Sequence, residues 1–157
     1  MLINELFKPV VTGKWDLSHN LATYKFMISG KEYTIFAQRF DIGSNEDDDY
    51  YGQLENYNFD LSNITEYWSI EFKLDEAFDS YGITKSGNAG QVFGNIIGAL
   101  RVFHQDHTKI SAALFFTANE KSRQSMYDAL VKRLSVNLHI QAQNSKYPNG
   151  SKGYLIT

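Results

Sequence analysis

Three stretches of strict alternation, followed by a switch to helical spacing, constrain this chain more than any other feature. "LATYKFMIS" (residues 21–29) places Ala22, Tyr24, Phe26 and Ile28 on one face. "KEYTIFAQRF" (31–40) sets Tyr33, Ile35 and Ala37 against Thr34, Phe36 and Gln38. "EYWSIEFKL" (66–74) sets Trp68, Ile70, Phe72 and Leu74 against Ser69, Glu71 and Lys73. A period of two over that length means a strand with two unlike faces. The Ser29-Gly30 step between the first two stretches is a hairpin turn.

After Gly90 the period changes. Val92, Phe93, Ile96, Ile97, Leu100 and Phe103 recur at helix-face spacing, and Gly94 and Gly98, four apart, leave a flat track for a close neighbour. "KISAALFFT" is a nearly unbroken apolar run, the pattern of a strand covered on both faces. Thr117 and Glu120 form a T-x-x-E capping box opening a second helix, whose core side is Met126, Ala129, Leu130 and Leu134. Asp128 and Lys132 are spaced as an i, i+4 pair on it. "SVNLHI" alternates again, and "KYPNGSKGYLIT" reads as a Pro-Asn-Gly turn into a last strand. Residues 1–20 show no clear period; Leu2, Ile3, Leu6 and Phe7 are spaced to line a short helix that Pro9 would close.

The expected order is strand, strand, strand, helix, strand, helix, strand, strand. That is an α+β fold: one mixed, mostly antiparallel twisted sheet of about six strands with two main helices. A helix between two strands makes those strands parallel neighbours. The chain shows no internal repeat, and its 157 residues are read as a single domain, 1–157, large enough to bury a core unaided.

Charge is unevenly placed. From Phe40 to Phe72 there is no Lys or Arg, while Asp41, Glu46, Asp47, Asp48, Asp49, Glu55, Asp60, Glu66 and Glu71 supply nine of the 18 carboxylates. The remainder carries all 15 basic residues. Residues of about 41–64 thus form a long acidic-aromatic loop, and loops of that length are usually functional or disordered. There is no cysteine, which removes disulfide and thiolate chemistry. The opening "MLINELFKPVVTGKW" has no basic region leading into an apolar one, and no window approaches a membrane span. The expectation is a soluble, cytoplasmic protein without a membrane partner.

The succession of elements resembles the GNAT acyltransferase superfamily over roughly residues 21–157. "SGNAG" (Ser86 to Gly90) stands where that family has its phosphate-cradling loop. Its glycines are one residue wider apart than in the family's Q/R-x-x-G-x-G/A. "NEKSRQSMYDALVKRL" resembles the family's "N…A…LY…L" helix, with Asn119 and Tyr127 at the matching places. The resemblance implies a GNAT-like domain and acetyl-CoA as its possible cofactor. A second, more local resemblance is to a group of tailed-phage proteins that carry "ITGTGDA…VF", a strand ending "FSA", and "E…SR…LYDRLVKRL". "YGITKSGNAGQVFGNIIGAL", "LFFTANEKSRQSMYDALVKRL" and "GYLIT" look like that pattern. This implies a viral or mobile-element origin, and the cytoplasm of an infected bacterium as the location.

Each candidate residue has two readings. Backbone N–H groups of Ser86, Gly87, Asn88, Ala89 and Gly90 at a helix N-terminus would hold an anion such as the pyrophosphate of coenzyme A, with Lys85 as added charge; equally, the glycines let the chain turn. Tyr127 is the candidate general acid for a leaving thiolate, or a packed ring with a hydrogen-bonded hydroxyl. Asn119 would bridge a cofactor amide or cap the helix. Arg123, one turn before Tyr127, would bind phosphate or stack on that ring. Glu71 could deprotonate an amine, directly or through water. His104 and His107 with Asp106 have metal-pair spacing, yet lie at a helix end where imidazole is favoured anyway; no third ligand is evident, and no metal is expected. "DDDYYGQLE" fails as a calcium loop at Tyr51 and Asn58.

The acidic loop is either a solvated insertion or an interaction arm. As an arm, Glu46, Asp47, Asp48, Asp49 and Glu55, interleaved with Tyr50, Tyr51 and Tyr57, would dock on a host or phage protein with a basic surface. The same charge would repel nucleic acid. Two functions follow: a binding protein acting through this loop, or an acyl-CoA-dependent N-acetyltransferase using residues 85–90 with Tyr127.

Overall fold

The computed structural model describes residues 12–42, 54–74, 89–118, 121–134, 138–146 and 150–157, with the backbone alone at 73, 74, 89 and 121–123. In chain order the elements are β1 (Trp15–Ser18), β2 (Leu21–Ile28), β3 (Lys31–Asp41), β4 (Glu66–Leu74), α1 (Ala89–His107), β5 (Ala112–Ala118), α2 (Lys121–Leu134), β6 (Ile140–Asn144) and β7 (Lys152–Ile156). The strands form one sheet in the order β1-β2-β3-β4-β5-β7-β6. The pairing of β4 with β5 is parallel, with α1 as the crossover, and the others are antiparallel. The mixed α+β architecture expected from the period changes is the one observed.

The sheet has seven strands, one more than the alternating stretches indicate. The addition is β1, from the N-terminal region without a clear period. It is four residues long, and only its Trp15 is buried, so there is too little alternation for a pattern to register. Trp15 pairs with Tyr24 and donates its indole N–H to the Ala99 carbonyl of α1 at 2.8 Å. Just before it, the Thr12 hydroxyl donates to Asn95 Oδ1 at 2.6 Å, while Asn95 Nδ2 donates to the Gln91 carbonyl. The chain is thereby tied down across α1 before the sheet begins. The expected helix at Leu2–Phe7 lies outside the described residues.

Between β2 and β3, Ser29 and Gly30 both have positive φ, 52° and 79°, as a two-residue turn matching the strand twist requires. Alternation then sorts the side chains. Ala22, Tyr24, Phe26, Ile28, Tyr33, Ile35, Ala37, Trp68 and Ile70 join α1, α2 and alternate residues of β5 in one core. β5 is buried on both sides, as its apolar run predicts. α1 is buried at every position from Val92 to Leu100, including Gly94 and Gly98.

The opposite face of the sheet holds a second core. Leu54 and Tyr57 pack there on Phe40, Tyr67, Ala113, Phe115 and Leu155, with Phe59, Leu61 and Ile64 at its margin. Residues 54–65 form a strap over β4, β5 and β7. The Tyr57 and Ser151 hydroxyls are 2.9 Å apart; Lys146 N donates to the Asn56 carbonyl. The Gln141 side-chain amide pairs with both the N–H and C=O of Asp60, at 2.7 and 2.9 Å. The second half of the acidic-aromatic segment is therefore a packed layer.

One local expectation is corrected and another is extended. Thr117 does not cap α2: it lies in β5 opposite Gly153, and the helix begins only at Lys121, because the ladder with β7 holds the chain extended through Ala118. Asp128 feels the charge of its i, i+4 neighbour Lys132 and also bonds Lys152 Nζ of β7 at 2.8 Å. No helix among the described residues is long and apolar enough to cross a membrane.

Candidate functional site

β4 and β5 pair only from Glu66 opposite Ala112 to Ser69 opposite Phe115. Beyond that point β4 continues to Leu74 on β3, and β5 continues to Ala118 on β7. The two strands thus part toward their C-terminal ends, where a parallel β-α-β unit commonly takes a ligand. α1 starts at Ala89. Ala89 and Gly90 accordingly belong to its first turn and not to the loop before it. Lys85, Ser86, Gly87 and Asn88, the rest of the expected anion cradle, lie outside the described residues, as does Asn119. Arg123 is in the first turn of α2, where its backbone is described.

On the helix side the parting is lined by rings. Phe72 of β4 stands 5.8 Å from Phe116 of β5 and 5.6 Å from Tyr127 of α2. Tyr127 also meets Phe116 edge-on at 5.5 Å and Tyr154 at 6.1 Å, and Phe116 stacks on Tyr154 at 5.1 Å. Such tilted and edge-on contacts between rings are each favourable beyond their burial. Tyr127 is only 4% exposed. A general acid must reach the atom it protonates, and a ring this buried offers an acyl donor little surface.

Glu71 lies on the other face, exposed, opposite Phe36 of β3. The sheet thus stands between the two residues expected to act as acid and base. Alternation places them so: Phe72 joins the helix-side core, and its neighbour Glu71 must point away.

Beside the rings is a polar cluster that the sequence patterns do not single out. Asp128 Oδ1 accepts from Lys152 Nζ at 2.8 Å and from the Tyr154 hydroxyl at 2.7 Å. That hydroxyl is also 3.2 Å from the Gln124 carbonyl. Lys152 Nζ lies 5.5 Å over the Tyr154 ring. Burial, then the hydrogen bond and charge of Asp128, raise the Tyr154 phenol far above its ordinary range. Burial alone would raise the Asp128 carboxyl too, but the bonds from Lys152 and Tyr154 outweigh it and hold the group below its usual range. Lys152 and Tyr154 are distant in sequence from Asp128; only the i, i+4 spacing of Asp128 hinted that this carboxylate would be paired.

A second polar cluster closes the far end of the sheet. Arg39 donates to Asn20 Oδ1 from Nε at 3.0 Å and Nη2 at 2.8 Å, and its Nη1 reaches Asp41 at 2.9 Å and Glu66 at 2.8 Å. Lys109 Nζ is 4.0 Å from the other Glu66 oxygen. At α1's end, burial lowers the His104 imidazole. Among the described residues no three metal-ligating side chains come together.

Of the docking residues expected in the acidic loop, Glu46, Asp47, Asp48, Asp49, Tyr50 and Tyr51 lie outside the described residues. Glu55 is exposed. Tyr57 is a buried residue of the strap, 5.9 Å from Phe115, and so its ring is committed to this chain's own core. No period or spacing distinguishes it in the sequence from the tyrosines just before it.

Comparison with protein-family models, with curated proteins and with solved structures finds no match to this chain. The likeness to GNAT acyltransferases and to tailed-phage proteins rests on the quoted segments and on the order of the elements.

Proposed function

We propose that this chain is a binding protein, a phage-encoded GNAT-like domain that engages a host or viral protein through the acidic segment preceding Leu54. The observation that carries this reading is the ring packing of Phe72, Phe116 and Tyr127 at the parting of β4 and β5. With Tyr127 only 4% exposed, this packing favours a structural role for that ring over a catalytic one. Further support comes from the anchoring of the segment's flanks: Ile42 N donates to the Thr65 carbonyl at 2.9 Å, and Leu54 is in the second core. An arm held at both ends loses less freedom on docking than a free tail, and its carboxylates would steer a basic partner.

Acetyl-CoA-dependent N-acetyl transfer is the second reading. The parallel β4-α1-β5 unit favours it, since α1 begins directly after the glycine-bearing stretch of the sequence, and a helix N-terminus suits an anion.

Titration calorimetry with acetyl-CoA separates the two. The binding reading expects no heat at millimolar cofactor; micromolar binding that is lost in Gly90→Glu would overturn it in favour of the enzyme. Capture of partners from a bacterial lysate supplies the positive arm. Asp47, Asp48 and Asp49 replaced together by Asn should weaken capture steeply at low salt and much less at high salt. Capture that ignores this replacement would remove the acidic segment from the account.

A further inference from the structure

The sheet ends in two unlike edges. β1 at one end is four residues long, carries Asp16 and follows Lys14. Short length and charge are common protections of an edge strand against pairing with another chain. β6 at the other end, "IQAQN", has no charged residue and no proline, and among the described residues no strand lies beyond it.

The hydrogen-bond phase of β6 shows which groups face outward. His139 and Thr157 exchange both backbone bonds, at 3.2 and 2.8 Å, and Ser145 N donates to the Ser151 carbonyl at 3.0 Å. In an antiparallel ladder such pairs alternate with pairs whose N–H and C=O point away. With Ile140 opposite Ile156 and Ala142 opposite Tyr154, Gln141 and Gln143 bond inward to β7. The N–H and C=O groups of Ile140, Ala142 and Asn144 are therefore directed away from β7, to the side where no described strand lies.

We propose that this edge pairs with β6 of a second copy of the chain, antiparallel and about a two-fold axis at Ala142, to continue the sheet across a homodimer. The strand is self-complementary in that register. Ala142 faces Ala142 of the second copy, and Ile140 faces Asn144, each pair exchanging its outward N–H and C=O groups. Gln141 faces Gln143, so their amides lie side by side on the strap face. The flanking His139 and Lys146 meet Ser145 and Leu138 of the second copy, so no like charges oppose each other, which would otherwise disfavour the pairing. The contact is isologous and closes on itself, giving a dimer and not a fibre. Gln141 also holds the backbone of Asp60, which fastens the strap to the strand that forms the interface.

The test is sedimentation velocity of the full chain up to about 1 mM, the range in which a small edge interface would be populated, combined with residue-resolved hydrogen exchange. The expected result is a shift from the mass of one chain toward that of two. With it, protection at the Ile140, Ala142 and Asn144 amides should rise with concentration, while the Gln141 and Gln143 amides are protected throughout. Ala142→Pro removes an outward donor without touching the β7 ladder, a position where an edge strand tolerates proline; it should stay monomeric with an unchanged circular dichroism spectrum. Ala142→Lys, which places like charges across the axis, should do the same and stands in should the proline variant fail to fold. A wild-type chain that is monomeric over the whole range overturns the proposal. So does association that leaves those three amides unaffected, or that persists in a folded Ala142 variant.

Discussion

The ring of Tyr57 packs directly on Gly153: a Cβ at position 153 would lie 2.9 Å from Cδ1 and Cε1 of that ring and 3.0 Å from Cγ. Gly153 is the second residue of β7, between Thr117 of β5 and Gln143 of β6, where a glycine ordinarily weakens a strand unless something needs the space. Here the strap needs it. Gly153→Ala should destabilise the fold by about 1–3 kcal/mol, the usual cost of overpacking a filled site, as read from urea unfolding. Tyr57→Phe keeps the ring but leaves the buried Ser151 hydroxyl without this partner, and should cost about 1–2 kcal/mol. A Gly153→Ala variant as stable as wild type would mean that the strap does not rest on the sheet in this way.

Tyr127 makes a sharper case. If its ring fills the parting of β4 and β5, Tyr127→Ala removes contacts with Phe72, Phe116 and Tyr154 together and should cost about 3–5 kcal/mol. Tyr127→Phe retains those contacts and should cost far less. Thermal and denaturant unfolding of the two variants measure the difference; near-equal stabilities would show that the ring carries little of the packing.

The parts of the fold that could be read from the sequence are those where one physical rule acts alone. Alternation in 21–28 and 31–41 reports a sheet with one face on the core, and the unbroken apolar run of β5 reports cover on both faces. β1 escapes because four residues hold only one buried side chain. The strap escapes for another reason. Leu54, Tyr57, Leu61 and Ile64 have helix-face spacing while Tyr57, Phe59 and Leu61 alternate, so the two periods point to different structures; a segment crossing several strands takes its inward positions from the surface beneath and not from its own backbone repeat. Asp128 shows the same limit for pairing: helical spacing points to Lys132, which acts on it through charge, whereas Lys152 and Tyr154 of β7, which bond it, are too far off in sequence for any spacing to show.

Arg39 and Glu66 are joined at 2.8 Å with the Glu66 side chain only 6% exposed. Arg39 is 27% exposed and also holds Asn20 and Asp41. It thereby ties the β1–β2 turn and the end of β3 to the start of β4. Arg39→Met strands a buried carboxylate and should cost about 3 kcal/mol, at the lower end for a broken buried pair because water reaches the arginine side. Adding Glu66→Gln removes the stranded charge and should recover a large part of that loss. A double variant no better than the single would show that Arg39 acts through Asn20 and Asp41, with little contribution from Glu66.

Tyr154 should make stability fall in alkali. In the unfolded chain its phenol loses a proton near the ordinary value of 10.0, whereas burial and the Asp128 carboxylate keep it protonated in the fold well beyond that. Above pH 10 the unfolded state then binds fewer protons than the folded one, and stability decreases with rising pH by up to about 1.4 kcal/mol per unit from this group. Tyr154→Phe should be less stable than wild type at neutral pH, having lost the hydrogen bond to Asp128, and its deficit should shrink as pH rises through 10 and above. Asp128 works in the opposite sense. Its carboxyl is held below its ordinary value of 3.8, so its contribution is present above about pH 4 and disappears as pH falls through the lowered folded value. Asp128→Asn should therefore lose stability at neutral pH and converge on wild type in acid. Unfolding free energies of the three proteins across the pH range test both limbs. Parallel curves for wild type and Tyr154→Phe above pH 10 would mean that the phenol is no harder to ionise in the fold than in the open chain.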